Sequence, residues 1–577
     1  MLNYELRMNV IILDGYVDEP TCLGVPPYIS PYVRYAAGAA LKTAKELCLD
    51  LKLLYFTIDQ LRSGVGFKEI IKADLLVVIC GTAVPGKYLG GTPASSSELA
   101  RLLSGVERPV KVLGGPAAKF GFGTGGGRRA AAVPEGVFDI VATGDVEFVI
   151  SQLIAERLSV ERVAPEEHRE SVSQIRNFAI YGAEIVRQHP NFPHIIAELE
   201  TYRGCARSLV GGCSFCVEPN KGLPDFRPVE DVVDEVAALY KVGVRHFRFG
   251  SQPCLFSYMA EGVGELEFPK PNSEALERLY RGIRAVAPKL RTLHMDNANP
   301  GTLAAYPEEC RRIAKIIVKY HTAGDVVALG VESADPEVVR RNNLKAMPED
   351  CMKAIELLNE VGARRGENGL PELLPGVNFV FGLLGETKKT YELNYEFLRE
   401  VLERRLLLRR INLRQVMIFP TTRMAKVGDR IMRRHKRLFR SFKRRVREEI
   451  DREMLKRVVP RGVVLRDVLT EMHEGKTTFG RQLGTYPLLV GIPGVYELRR
   501  FLDVKVVDYG FRSITAVPFP LDVNTAPKET LMALPGVGER RAAAIERKRP
   551  FKSVEDFVSA FDDKAVGEKL REYVKVL

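Results

Sequence analysis

The chain has 577 residues, 46% of them apolar and 27% charged, with a net charge of +12. It is too long for one core and divides into several domains of roughly 100–200 residues each, and no apolar run nears the ~18 residues that cross a bilayer, so no membrane partner is expected. Nine cysteines are too sparse for a disulfide framework and "MLNYELRMNVIILDG" is no export leader, which together give a cytoplasmic expectation, while the basic balance favours a polyanionic partner.

In residues 1–160, apolar bursts such as "NVIILDG", "ADLLVVICG" and "PVKVLGGP" alternate with helical patterns, which predicts a Rossmann-like α/β domain with a parallel sheet. The glycine-rich stretch "KFGFGTGGGRRAAAVPEGV" lies well past a strand and opens no helix, so it predicts a flexible loop rather than a dinucleotide fingerprint. A charged linker, 161–194, leads to a second alternating series over 195–422, with strands at "VRHFRFG", "LRTLHMDN", "DVVALGVES", "GVNFVFGLL" and "INLRQVMIFP". Right-handed crossovers would make this a second parallel sheet with its reactive positions at the strands' carboxyl ends. A basic helical connector, 423–464, carries an apolar stripe of Phe439, Phe442, Val446 and Ile450, which either docks a solvated helix or leaves a phosphate-facing surface outside. Residues 465–520 alternate as a small β-barrel does, and 521–577 are helical around "LPGVG".

Three cysteines fall within "TYRGCARSLVGGCSFCVEP", as Cys205-x7-Cys213-x2-Cys216. Three thiolates suit a four-iron cluster with one iron left open, or a zinc ion completed from a distance by Cys254 or His246, or no metal at all; spacing leaves these alternatives open.

The segment resembles the radical S-adenosylmethionine (SAM) superfamily, whose pattern is Cys-x3-Cys-x2-Cys with an aromatic before the last cysteine, here Phe215. The longer first spacing departs from it, and "RSLVGG" is glycine-rich enough to bulge. "GSQ" at 250–252 stands where many members carry Gly-Gly-Glu, "GVESADPEVVRRNN" resembles the fourth strand and "VNFVFGLLGET" the fifth. The resemblance implies a partial (β/α) barrel and a [4Fe-4S] cluster held by Cys205, Cys213 and Cys216. It implies SAM on the open iron, with Phe215, Gly250, Ser251, Gln252, Glu332 and Ser333 as SAM contacts. It also implies an electron donor, and reductive SAM cleavage to a 5′-deoxyadenosyl radical.

"PVKVLGGPAAKFG" and "FDIVATGDVEFVI" resemble cobalamin-binding-type domains, but no Asp-x-His-x-x-Gly supplies the usual axial histidine, which leaves cobalamin open and disfavoured. Methylthiotransferases, distantly similar, carry three further cysteines; Cys80 and Cys22 lie near two of those places, the third has none, and Cys48 in a helical pattern reads as a buried core thiol. "GIPGVYELRRFLDVKVVDYGFRSITAVPF" looks like a TRAM-type RNA-carrying barrel, with Arg499, Arg500, Tyr509 and Arg512 as candidate contacts. "NTAPKETLMALPGVGERRAAAIERKRPF" resembles an all-α helix-hairpin-helix, with Gly536, Gly538, Arg540 and Arg541 placed to meet a phosphate. The expected function is radical modification of a nucleic acid, RNA before DNA, by methylation or sulfur insertion. The alternatives are a small-molecule or protein substrate, or a non-catalytic zinc-stabilised nucleic-acid-binding protein.

Overall fold

A computed structural model describes residues 7–15, 28–81 and 92–576. It has the α/β class expected, in four parts. In the first, strands β1 (Met8–Asp14), β3 (Leu51–Thr57), β4 (Leu75–Ile79), β5 (Val110–Gly114) and β6 (Ile140–Val141) form a parallel sheet in the order β3-β1-β4-β5-β6. The short β2 (Tyr28–Ile29) leaves this sheet and pairs with the next one. Helix Pro31–Glu46 starts at Ser30, whose hydroxyl accepts the Val33 N–H, with proline at its first position. Its small-residue face lets another segment come close: a Cβ on Gly38 would sit 1.8 Å from the Phe178 carbonyl oxygen, so only glycine fits.

Two sequence expectations change here. Cys48 is exposed, not core, because the helix has ended and the residue takes a left-handed φ of 53° in the turn that follows. The glycine-rich stretch is not loose: the Gly127 N–H meets the Val416 carbonyl, Ala130 N–H the Ile418 carbonyl, and Ile418 N–H the Arg128 carbonyl. Backbone polar groups that find such partners are fixed even without side chains.

The second part is the partial barrel expected of 195–422. Strands β7 (Ile196–Glu200), β10 (His246–Gly250) and β11 (Thr292–His294) run parallel beside β2. After two residues the chain resumes as β12 (Asn297–Ala298), which leads the parallel series β13 (Asp325–Glu332), β14 (Leu373–Phe381) and β15 (Arg410–Gln415). The two sheets therefore form one curved wall. Between β7 and β10, an antiparallel pair, β8 (Tyr202–Arg203) and β9 (Asp225–Phe226), closes the neck of the cysteine loop.

Helices over 424–458 follow. Phe442, Val446 and Ile450 are buried, and Phe439 and Phe442 each contact Phe381, with ring centroids 5.1 and 5.2 Å apart. The stripe thus docks the basic segment on the core, and Arg433, Arg437, Arg440 and Arg444 face outward.

The third part is a closed barrel of β16 (Val464–Glu474), β17 (Thr477–Gln482), β18 (Leu489–Pro493), β19 (Phe501–Tyr509) and β20 (Ser513–Pro518). Its Leu483–Leu488 connection enters the wall of the partial barrel. There the Tyr486 hydroxyl donates to Asp296 at 2.6 Å, and the Thr485 N–H donates to His294 Nδ1 at 2.9 Å. The tail packs Leu531, Leu534, Ala542, Ile545, Phe557 and Leu570 into its own core, and β21 (Leu521–Asp522) pairs with β22 (Val574–Lys575). Ala526 and Ala542 are buried with them, and Ala543 is only partly so.

Candidate metal and cofactor site

The cysteine loop is built by close approaches that only glycine permits. A Cβ on Gly204 would lie 2.3 Å from the Leu223 carbonyl oxygen, and one on Gly212 would lie 2.1 Å from Pro219 Cγ. Between Cys205 and Cys213 the chain makes a short 3-10 turn, Ala206–Val210, then Gly211 and Gly212 return it with φ of 79° and 60°. The extra residues therefore bulge outward, while Arg207 folds back. Its side chain, 4% exposed, donates to Cys213 Sγ at 3.1 Å, to the Asn343 carbonyl at 2.9 Å and to Glu267 at 2.9 Å.

The bulge leaves Cys205, Cys213 and Cys216 on one cavity of about 70 Å³, together with Lys345 and Cys254. Burial pushes all three thiols up, and the charges of Lys345 and Arg207 oppose this at Cys213. Among the described residues no three His, Cys, Asp or Glu side chains close on a single ion. Thiols ranged around a cavity fit a cluster, in which each binds a different iron, better than one tetrahedral ion.

The other candidates lie at the carboxyl ends of β10 and β13, with β11 and β12 between them. A Cβ on Gly250 would stand 2.2 Å from Glu198 Oε1, and the Ser251 hydroxyl, at φ 63°, donates to that oxygen at 2.7 Å. Gln252 is buried; its Oε1 accepts from Thr201, and its Nε2 has no protein partner. A buried amide N–H without a partner is costly and suits a ligand acceptor, so Gln252 offers a donor at this position. Glu332, at φ 61°, lies 3.9 Å from Lys345; burial pushes its carboxyl up against the pull of Lys345 and Arg414. The Ser333 hydroxyl accepts the Asp335 N–H, and Phe215 packs with Val338, Leu383 and Met424. Arg207 and Lys345 carried no signal in sequence, since only the fold brings them to the cysteines, whereas Cys254, a distant candidate ligand in the sequence, does line the same cavity.

A second crevice, of about 400 Å³, opens at the carboxyl ends of β5 and β6 and faces the cysteine-loop neck. Lys119, Asp145, His168, Arg203 and Lys221 line it. Asp145 pairs with Arg169 and Arg203 there, and those charges hold its carboxyl well below the usual carboxylate range although burial opposes them. His168 comes from the charged linker and escaped the sequence motifs. Of the cysteines suggested for a further cluster, Cys80 is buried against Gly15, whereas Cys22 lies outside the described residues.

The suggested barrel contacts have structural partners. Arg499 donates to the Pro190 and Phe192 carbonyls, Arg500 pairs with Glu497, Tyr509 donates to the Val459 carbonyl and Arg512 pairs with Asp451. In the tail, Gly536 has a φ of 79° and a Cβ on Gly538 would meet nothing. Arg541 donates back to the Gly536 carbonyl at 2.6 Å, while Arg540 is exposed.

The Radical SAM superfamily model matches residues 199–398, the stretch that carries the cysteine loop and most of the partial barrel. An uncharacterized protein of Methanocaldococcus jannaschii is 50% identical over 513 residues, 88% of this chain and 92% of that one. The ribosomal protein uS12 methylthiotransferase RimO of Symbiobacterium thermophilum is 25% identical over 275 residues, 48% of this chain and 49% of its own. Among solved structures, the radical SAM methyltransferase TsrM of Kitasatospora setae aligns with a TM-score of 0.46 at 15% identity, over 72% of this chain and 74% of that one. No helix among the described residues is long and apolar enough to cross a membrane. The chain is an enzyme that belongs to the radical SAM superfamily, in one family with its half-identical archaeal relative.

Proposed function

We propose that this enzyme modifies a nucleic acid, RNA before DNA, by methylation or sulfur insertion, and that it does so in the cytoplasm. The observation that carries the reading is the N-terminus of helix Glu539–Lys548. It follows the open Gly538, has no side-chain cap and has Arg540 exposed beside it. The later tail helices are capped instead, by Ser553 and Asp563. Uncapped N–H groups at a helix start favour a phosphate, and such contacts hold a backbone without reading its sequence. RNA is preferred because its single-stranded loops present splayed bases, whereas a base in a duplex must first be flipped out.

In this reading Cys205, Cys213 and Cys216 hold a [4Fe-4S] cluster. When bound, that cluster supplies the electron that splits SAM into methionine and a 5′-deoxyadenosyl radical. Gln252 and Ser251 orient SAM at the end of β10, Glu332 and Ser333 face it from β13, and Phe215 packs behind Cys216. The buried walls of the cavity exclude water from a reactive radical.

The crevice keeps cobalamin open as a further cofactor. It lies between the N-terminal module and the cysteine loop with His168 on its wall, so the missing Asp-x-His-x-x-Gly does not by itself remove an imidazole from the site.

Anaerobic reconstitution tests the reading. About four irons per chain and 5′-deoxyadenosine on reduction with SAM are expected, together with tRNA binding that weakens steeply with salt. Stoichiometric zinc without SAM cleavage would sink it. Mass spectrometry of RNA nucleosides from cells lacking the protein would identify the modified base, and an unchanged nucleoside profile counts against RNA as substrate.

A further inference from the structure

The basic connector is docked on the core by its apolar stripe, and that docking does not explain its charge. From Arg430 to Arg445 the chain carries nine lysines and arginines in 16 residues and no acid, and all nine are exposed. Among the described residues, Arg430, Arg434, Lys436, Arg437, Arg440 and Arg444 have no carboxylate within 4 Å. A helix that is merely solvated interleaves its charges, as this chain does in the turns that follow, where Arg447 pairs with Asp451 and Lys456 with Glu453. Lys436 and Arg440, and likewise Arg440 and Arg444, instead stand four residues apart in the helix Lys436–Arg445, and like charges at that spacing oppose the helix. The run keeps a repulsion that a bound polyanion would relieve.

The acids around the run do not supply that relief. Asp429 pairs with Arg433 and Glu449 with Arg445, at 3.0 and 3.2 Å, and Glu386 is buried against His435. On the neighbouring helix Lys388–Glu403, Glu392 faces Lys388 at 4.0 Å, which leaves Glu396 and Glu448 exposed at the border. The fold sets this charge at the rim of the cysteine loop. Met432, near the start of the run, packs with Leu383, Val416 and Met424 in an apolar cluster that Cys213 and Phe215 join, and Arg423 ties the preceding turn to the Gly212 carbonyl at 2.7 Å. The glycine-rich stretch adds two cations from 296 residues away: pinned to Val416 and Ile418, it exposes Arg128, while the Arg129 guanidinium, also exposed, donates to the Ala425 carbonyl at 3.4 Å.

We propose that Arg128 and Arg129, with the run Arg430–Arg445, form the surface on which the phosphates of the substrate RNA lie as its target nucleotide enters the partial barrel. The inference rests on the nucleic-acid reading above and gives the substrate a second hold, at the reactive rim, besides the one on the tail. Among the described residues, none of the ten exposed large apolar side chains falls within the run, so this face lacks the apolar centre of a protein interface. Its apolar side, Phe442, Val446 and Ile450, is buried, so it has nothing to sink into a lipid surface. Exposed cations without either feature match a sugar-phosphate backbone, which charge holds without reading its sequence.

The test measures binding of a bulk tRNA pool to the full chain at several salt concentrations. The triple variant Arg437→Gln, Arg440→Gln, Arg444→Gln clears one stripe of the helix. Its slope of log affinity against log salt should become shallower by about two to three, at about 0.9 per lost phosphate contact, and its affinity at low salt should fall at least about tenfold. Arg128→Gln, which removes one contact, should weaken binding by about fivefold. The urea midpoint of the triple variant should hold or rise, because a like-charge repulsion is removed, so lost binding would not reflect lost folding. A triple variant that binds tRNA with the parent's affinity and slope overturns the proposal and leaves the role of the tail standing. A variant that keeps tRNA but loses binding to phosphatidylglycerol vesicles overturns it in favour of a lipid surface, and unchanged affinity in Arg128→Gln overturns the part assigned to the glycine-rich stretch. A parent chain that binds no tRNA at any salt overturns the nucleic-acid reading as well.

Discussion

The guanidinium of Arg207 donates a hydrogen bond of 3.1 Å to Sγ of Cys213, from inside the extra residues that separate Cys213 from Cys205. The insertion therefore braces the site that it interrupts. Arg207→Ala should leave Asn343 and Glu267 without their donor and destabilise the loop by about 1–3 kcal/mol. Arg207→Lys should rescue little, because one ammonium cannot replace a guanidinium fork that reaches three partners. Hydrogen exchange over residues 205–216 and iron retained after gel filtration would measure both effects.

Single replacements of Cys205, Cys213 or Cys216 by alanine should each lower bound iron and abolish 5′-deoxyadenosine formation, by more than about a hundredfold, since an open-iron cluster has no spare protein ligand. Cys254→Ala should keep its iron. If Cys254→Ala lost iron as completely as the other three, a fourth protein ligand would hold the metal and no site would remain for SAM.

The small barrel should not be removable. A chain ending before Val464 loses Tyr486 and Thr485 and uncovers Asp296, His294 and the inner face of the partial barrel. It should be insoluble, or bind a hydrophobic dye, rather than survive as a free core. Tyr486→Phe is the mild version and should cost about 1 kcal/mol, read by urea denaturation.

Arg540→Glu should weaken tRNA binding and make its salt dependence shallower by about one phosphate contact. Arg541→Ala should act through stability instead, because that side chain closes the turn onto the Gly536 carbonyl. Binding curves at several salt concentrations separate the two effects.

Acid should destabilise the fold before its carboxylates titrate. Burial pushes His189 down to about 3, and burial with neighbouring His194 and Arg291 does the same to His246. Both stay neutral when folded but take up a proton when unfolded below about pH 6.5, so the unfolded state binds more protons and stability falls with falling pH. Between about pH 6.5 and 4.5 each costs about 1.4 kcal/mol per pH unit. His321, raised because its bonds to Asp325 and Glu372 outweigh the burial that would lower it, has the opposite sign: its stabilisation is complete below about pH 6.5 and fades at higher pH. His246→Gln should flatten the acid slope in urea denaturation at pH 7 and pH 5, and an unchanged slope would show that the folded imidazole is charged.

The alternation of strands and helices, the parallel sheets that follow from it, and the three cysteines are legible along the chain, because local period and short spacing are written in it. It also carried the docking stripe of Phe442, Val446 and Ile450, which repeats at helical spacing. The pinning of the glycine-rich stretch to Val416 and Ile418, the exposure of Cys48, and the reach of Tyr486 to Asp296 across 190 residues emerge with the fold alone. Partners so far apart share no local pattern, and a backbone hydrogen bond leaves no mark on residue identity. The cavity is the clearest case. Cys205, Cys213 and Cys216 lie within twelve residues of sequence, but Lys345 and Cys254 meet them only because parallel strands bring their carboxyl ends to one rim.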